Sequence, residues 1–395
     1  MLNSQRANFL AHLAQTSPAP MALEIAGGHG CYLTDTDGKD YLDLIAGIGV
    51  SVLGHNHPAV VQAVQDQAGR YMHTLVYGEF ILAPQTEYAR LLADNLPASL
   101  NNVYFVNSGA EACEGAMKLA KRATGRREIF SAIRSYHGST QGAASLQWPH
   151  DFTKAFEPLL PEINHLDFNC DVCLNRITEK TAAVVLETVQ AEWGLREPRP
   201  EWLQAVRARC TEVGALLILD EIQAGMGRTG TLWAFEQYGV VPDILLLAKG
   251  FGGGMPLGAF VANEKVMKLL TVEPVLGHIT TFGGHPVSCA AGLAALKTLL
   301  TQPELIASVK RKEALFHELL VHPKIRQVRS AGLWMAVELS DFDQVRATIK
   351  GCLERGLITD WFLWNERSLR IAPPLVITET EIRQACAVIL AALSE

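Results

Sequence analysis

Lys249 follows the apolar run Ile244-Leu-Leu-Leu-Ala248 and opens the glycine-rich stretch Gly250-Phe-Gly-Gly-Gly254. An ammonium at the end of a buried strand is poorly solvated, which lowers its pKa and frees the amine for Schiff-base chemistry. A strand-end lysine ordinarily does something simpler and reaches water along its aliphatic stem. A second run argues for the chemical role: Ala215-Leu-Leu-Ile-Leu219 ends in Asp220-Glu221-Ile222-Gln223. A carboxylate at one strand end and a nucleophilic lysine at another are what pyridoxal 5'-phosphate (PLP) requires. The acid keeps the pyridine nitrogen protonated, and the ring then accepts electrons.

A phosphate needs its own cradle. Ser108-Gly-Ala-Glu111 has the spacing of a capping box, and Cys113, Ala116, Met117 and Ala120 give the helix behind it an apolar face. The N-terminus of such a helix presents free N–H groups and the positive end of its dipole. The preceding run Val103–Val106 sets the cap at a sheet edge, where α/β folds bind ligands. Capping boxes are commonly structural, and Tyr136, just before Gly138, would on its own be a packed core tyrosine. Glu187 and Glu192, near Gln190, would on their own be a solvated face.

These residues need a scaffold. Strand-like runs at Val103–Val106, Glu128–Phe130, Ala182–Leu186, Leu216–Leu219, Ile244–Leu247 and Gly258–Val261 alternate with helical patterns, the signature of an α/β domain with mostly parallel strands. Residues 30–43 read as a hairpin with a tight Asp37-Gly38 turn, and a long apolar helix is expected from about Val287 to Leu300. Over 395 residues, 49% hydrophobic and 19% charged, two domains are expected. The 34 basic and 41 acidic residues give −7, with no basic run to neutralise a phosphate backbone, so nucleic acid is not an expected partner. No membrane span or signal peptide is legible, so a soluble, cytoplasmic protein is expected. Its eight scattered cysteines are expected to be reduced, the Cys170-Asp-Val-Cys173 pair included.

Taken together, the motifs resemble the class III, or omega-amino, PLP aminotransferases. Asp220-Glu-Ile-Gln-Ala-Gly-Met-Gly-Arg-Thr-Gly230, Pro242-Asp-Ile-Leu-Leu-Leu-Ala-Lys249 and Gly253-Gly-Met-Pro-Leu-Gly258 match the family signature. Gly54-His-Asn-His-Pro58, Asn107-Ser-Gly-Ala-Glu-Ala112, Tyr136-His-Gly138, Thr281-Phe-Gly-Gly-His-Pro286 and Arg370-Ile-Ala-Pro-Pro-Leu375 follow in the order of the acetylornithine and ornithine aminotransferase branch.

The resemblance implies a PLP fold-type I protein. Residues 51–286 would form a large domain around a mostly parallel sheet, and residues 1–50 and 287–395 would join as a smaller α+β domain. It implies a PLP phosphate on the backbone amides of Gly109 and Ala110, helped by Ser108, with Tyr136 stacked on the ring and Gln223 on its phenolic oxygen. Thr281 would reach the phosphate of a neighbouring subunit, so the sites would be shared across a homodimer. Glu192 would pair with Arg370 and release it to bind a carboxylate when glutamate is the substrate, with Glu187 alongside. The substrates would be a small-molecule amine and a 2-oxo acid, with 2-oxoglutarate as acceptor.

Two positions depart from the family pattern. Ala110 stands where many relatives have threonine, a change that a backbone contact survives. Ser139 stands where the branch carries an arginine for the donor's α-carboxylate, so another cation such as Arg134 takes over, or the donor is held differently, or it lacks that carboxylate. N-acetylornithine, N-succinylornithine, ornithine and 4-aminobutyrate all remain open as donors, as do other PLP reactions on this fold. His55 and His57 lack further ligands for a metal, and Gly250-Phe-Gly-Gly-Gly-Met255 lacks the Lys-Ser/Thr ending of a nucleotide-binding loop.

Overall fold

The computed structural model describes residues 5–394. Its largest sheet has seven strands, in spatial order Asn102–Val106, Gly258–Ala262, Ile244–Leu247, Leu216–Asp220, Thr181–Glu187, Glu128–Ala132 and Ile163–Leu166. Gly258–Ala262 runs antiparallel to both neighbours and the remaining pairings are parallel. The strand Ile163–Leu166 was not foreseen, because Ile-Asn-His-Leu has little of the apolar run that marks its neighbours.

The parallel strands are uniformly apolar because both faces are covered. All seven residues of Thr181–Glu187 are buried, as are all four of Ile244–Leu247. The helix Gly109–Thr124 packs its Ala112, Cys113, Ala116, Met117 and Ala120 face inward and stops at Gly125, whose φ of 68° closes the turn in the left-handed region. Gly115 in that helix is required by contact, since a β-carbon there would strike the Phe260 ring. The long helix Pro286–Thr301 starts with proline at its first position and is buried on most sides.

The two ends of the chain meet in a smaller sheet. Leu357–Ile358 pairs in parallel with Asp40–Asp43, which follows Ile25–His29 and Tyr32–Asp35. The hairpin is present, but its connection is longer than the tight turn expected. Asp35 closes it by accepting the amides of Asp37 and Lys39 on Oδ1, each at 2.9 Å. A third sheet holds Gln327–Ser330, Met335–Glu338, Asn365–Ile371 and Asp360–Phe362.

Candidate active site

A cavity of about 480 Å³ lies where the carboxyl ends of the parallel strands meet the smaller sheets. Ser108, Gly109, Ala110, Tyr136, Ser139, Glu187, Glu192, Asp220, Gln223 and Lys249 all line it. Residues separated by up to 141 positions thus share one wall because each terminates, or lies in the segment that follows, a strand of one sheet.

Lys249 sits just past Ile244–Leu247 with φ of 52°, a left-handed backbone uncommon for a residue with a side chain. Its Nζ donates to Gln223 Oε1 at 2.7 Å. Burial lowers its pKa to about 8, against the opposing pull of Glu192, and Arg370 pushes the same way as burial. Gln223 Nε2 has no hydrogen-bond partner among the described residues, which leaves a buried donor facing the ligand space.

Asp220 ends the strand Leu216–Asp220, and both its oxygens are fixed. Oδ1 accepts the Ile222 amide at 2.9 Å, and Oδ2 lies 2.7 Å from His137 Nδ1. Burial opposes protonation of His137, but the hydrogen bond and charge of Asp220, with Glu187 further off, raise its pKa overall. His137 is a residue that reading by sequence passed over. It sat in the Tyr136-His-Gly138 motif, but nothing in the local pattern tied it to an aspartate 83 positions away.

At the other end of the cavity, Ser108 caps the helix Gly109–Thr124 by accepting the Glu111 amide at 3.2 Å. The reciprocal half of the expected capping box differs: Glu111 reaches the amide of Asn107 at 2.7 Å instead of that of Ser108. The first N–H groups of a helix have no intrahelical acceptor, so with the Glu111 amide taken by Ser108 those of Gly109 and Ala110 remain for an anion. Gly109 lets Ile222 pack against the start of the helix, since a β-carbon there would stand 2.7 Å from Ile222 Cδ1.

Glu192 and Arg370 form a buried fork, Oε1 to Nη1 at 3.0 Å and Oε2 to Nη2 at 3.1 Å. Glu192 is carried on a short hairpin closed by Gln190 and Arg196. Arg370 stands behind it and is not in the cavity wall. Glu187 does not join the pair. Its oxygens accept the amides of Tyr136 at 2.6 Å and Ala191 at 2.5 Å, and burial pushes its carboxyl up to about 7. Ser139 is exposed, with Oγ 3.0 Å from the Tyr136 hydroxyl.

Thr281, which the resemblance assigns to a neighbouring subunit's site, is exposed and outside this chain's own cavity. Two expectations change. Arg134 does not replace the missing arginine in the wall: its guanidinium lies over the Trp193 ring, 4.8 Å from the centroid. Cys170 and Cys173 are joined as a disulfide, not reduced, because the bend at Asp171 into the 3-10 helix Val172–Arg176 sets their Cα atoms 5.5 Å apart. Among the described residues, Asp167 with these two cysteines is the one grouping with metal-ligand proximity. His55 instead pairs with Asp43 at 2.9 Å.

The donor set fits PLP. A helix N-terminus suits the phosphate, a fixed carboxylate the ring nitrogen, an amine of lowered pKa the aldehyde, and the orphaned amide of Gln223 a further polar atom. No helix among the described residues is long and apolar enough to cross a membrane.

The class-III aminotransferase family model matches residues 14–393. An acetylornithine aminotransferase of Methanopyrus kandleri is 42% identical, covering 97% of this chain and 96% of that protein. A putrescine aminotransferase of Pectobacterium atrosepticum is 39% identical over 91% of this chain and 78% of its own length. Among solved structures, the ornithine aminotransferase of Toxoplasma gondii, described with PLP at its active site, superposes with a TM-score of 0.90 at 31% identity, covering 98% of this chain and 93% of that one. With its signature residues gathered around one cavity and the match running through nearly its whole length, the chain belongs to the PLP-dependent class-III aminotransferases.

Proposed function

We propose that the protein moves an amino group between an ornithine-like donor, such as N-acetylornithine, N-succinylornithine or ornithine, and 2-oxoglutarate. The observation that carries this reading is the Glu192–Arg370 fork beside the cavity that holds Lys249 and Asp220. A planar guanidinium suits bidentate recognition of a carboxylate, and an acid partner masks it when the other substrate is bound.

When bound, PLP supplies the carbonyl that takes up the donor's amino group and the ring that accepts electrons before the 2-oxo acid is aminated. Lys249 holds the cofactor and then, as a free amine, carries a proton to and from the reacting carbon. Asp220, oriented by His137, keeps a negative charge opposite the ring nitrogen. The amides of Gly109 and Ala110, with Ser108, hold the phosphate. Tyr136 and Ile222 provide apolar walls for the ring, and Gln223 a hydrogen bond to its oxygen. Glu187 ties the Tyr136 backbone to the hairpin bearing Glu192.

The proposal includes a homodimer in which Thr281 completes the neighbouring site, and a cytoplasmic location. Support for the dimer is an exposed apolar surface on residues 71–82 and 272–282, where Ile81 is 93% exposed and the His73 and Phe282 rings, 4.7 Å apart, join the two segments.

A screen of amine donors against 2-oxoglutarate, followed by stopped-flow spectroscopy of each half-reaction, tests the reading. Fast turnover with one of the three ornithine-type donors is expected. Preference for putrescine or 4-aminobutyrate over all three would replace the donor class, and no glutamate formed with any amine would remove the acceptor.

A further inference from the structure

The Glu192–Arg370 pair has a third member. Asp360 stands directly opposite Arg370 in the antiparallel pairing of Asp360–Phe362 with Asn365–Ile371, and its Oδ1 lies 3.0 Å from Arg370 Nε, an ion pair without the alignment of a hydrogen bond, so that neither atom has another partner among the described residues. Opposed residues on paired strands are the closest neighbours a sheet provides, so register sets this contact. The guanidinium is divided among its partners. Glu192 takes the Nη1/Nη2 edge, the Trp361 carbonyl accepts from Nη2 at 2.8 Å, and the Phe362 ring lies 4.6 Å from the cation. Glu192 lines the cavity, whereas Asp360 stays out of its wall.

One carboxylate would suffice to mask one guanidinium. The second therefore calls for a separate explanation, and its position supplies one. A long side chain released by its only partner regains rotamer freedom, which must be lost again when a ligand binds. A partner on Nε restrains the side chain without touching the two N–H groups that face a bidentate carboxylate.

We propose that Asp360 is a positioning residue that anchors Arg370 through Nε while Glu192 withdraws, keeping the Nη1/Nη2 fork aimed at the distal carboxylate of a dicarboxylic substrate. This rests on the Glu192–Arg370 reading given above. The anchor is sensitive to pH. Burial pushes the Asp360 carboxyl up to about 6, Arg370 opposes that rise, and Glu192 and Asp43 add to it. The charged groups around it are thus Arg370, Glu192 and Asp43, with His55 on Asp43 and Lys249 beyond the fork.

The test uses the PLP-loaded protein and glutarate, a dicarboxylate of the acceptor's length that has no keto group to react. Its dissociation constant is measured by calorimetry, and both half-reactions by stopped flow, in the wild type, Asp360→Ala, Asp360→Asn and Arg370→Lys. Asp360→Ala is expected to weaken glutarate about tenfold or more, the scale of one charge-assisted contact. It should raise half-saturation by 2-oxoglutarate to match and leave the donor half-reaction within about twofold. Asp360→Asn keeps an oxygen facing Nε but not the charge, and should recover part of the loss. Wild-type affinity should fall toward that of Asp360→Asn as pH drops through about 6, and that of Asp360→Asn should change only with the ionisation of glutarate itself.

Unchanged or tighter glutarate binding in Asp360→Ala overturns the proposal. So do equal losses in Asp360→Ala and Asp360→Asn, or equal losses in both half-reactions with a lowered thermal midpoint, which would mark a merely structural residue. Arg370→Lys separates the two layers of the argument. If it spares glutarate binding, the switch itself is wrong and the role of Asp360 falls with it. If it weakens glutarate while Asp360→Ala does not, only the role of Asp360 falls.

Discussion

His137 Nδ1 stands 2.7 Å from Asp220 Oδ2, with the imidazole buried and its Nε2 without a partner among the described residues. The contact fixes the orientation of the carboxylate proposed to face the ring nitrogen, and the Asp220 charge in turn favours the protonated histidine.

Replacing Asp220 with Asn removes that charge while conserving shape. Turnover should fall by several orders of magnitude, a barrier increase above ~4 kcal/mol, with PLP still bound. Steady-state kinetics together with the absorbance of the bound cofactor measure both quantities. Near wild-type turnover with full occupancy would refute the role given to Asp220.

Lys249 should carry the cofactor and do so with an unusually available amine. Borohydride reduction and peptide mapping should find the pyridoxyl group on Lys249 and on no other lysine. Because burial lowers its pKa to about 8, capture of PLP by the cofactor-free protein should accelerate as pH rises toward 8 and level off above it. An ordinary lysine would keep accelerating beyond pH 10.

Sites shared across a dimer predict complementation. Thr281 is exposed and outside its own cavity, so a Lys249→Ala parent mixed with a Thr281→Ala parent should regenerate some sites with both residues intact. Sedimentation and activity on dilution provide the check. A fully active monomer would contradict the arrangement.

Ser139 at the mouth of the cavity offers one neutral hydrogen bond, already engaged with the Tyr136 hydroxyl. Ser139→Arg should improve use of N-acetylornithine if the missing charge is the only obstacle, by up to the ~1.5 to 3 kcal/mol of a charge-assisted bond. The readout is the donor half-reaction, with the 2-oxoglutarate half as internal control. Strong wild-type activity with N-acetylornithine, unimproved by the substitution, would mean that another group already holds its α-carboxylate.

Much of this molecule was legible in one dimension because its chemistry is punctuated by strand ends. Apolar runs bounded by Asp220, Glu187 and Lys249 announced both the sheet and the groups at its edge, since a parallel strand covered on both faces must be apolar until it stops. Ser108 was legible for a similar reason, as capping is a local matter of three residues. The pairing of Glu192 with Arg370 followed from family resemblance; its bidentate geometry did not. What only tertiary structure decided were contacts between distant segments. His137 reaches Asp220 across the intervening strand Thr181–Glu187, Asp360 faces Arg370 through the register of a short hairpin, and Cys170 meets Cys173 through a turn. Arg134, a plausible substitute cation by position alone, turns onto Trp193. A side chain's type shows what it can do, but its partners depend on how strands pair and loops close, and no local pattern of residues encodes those.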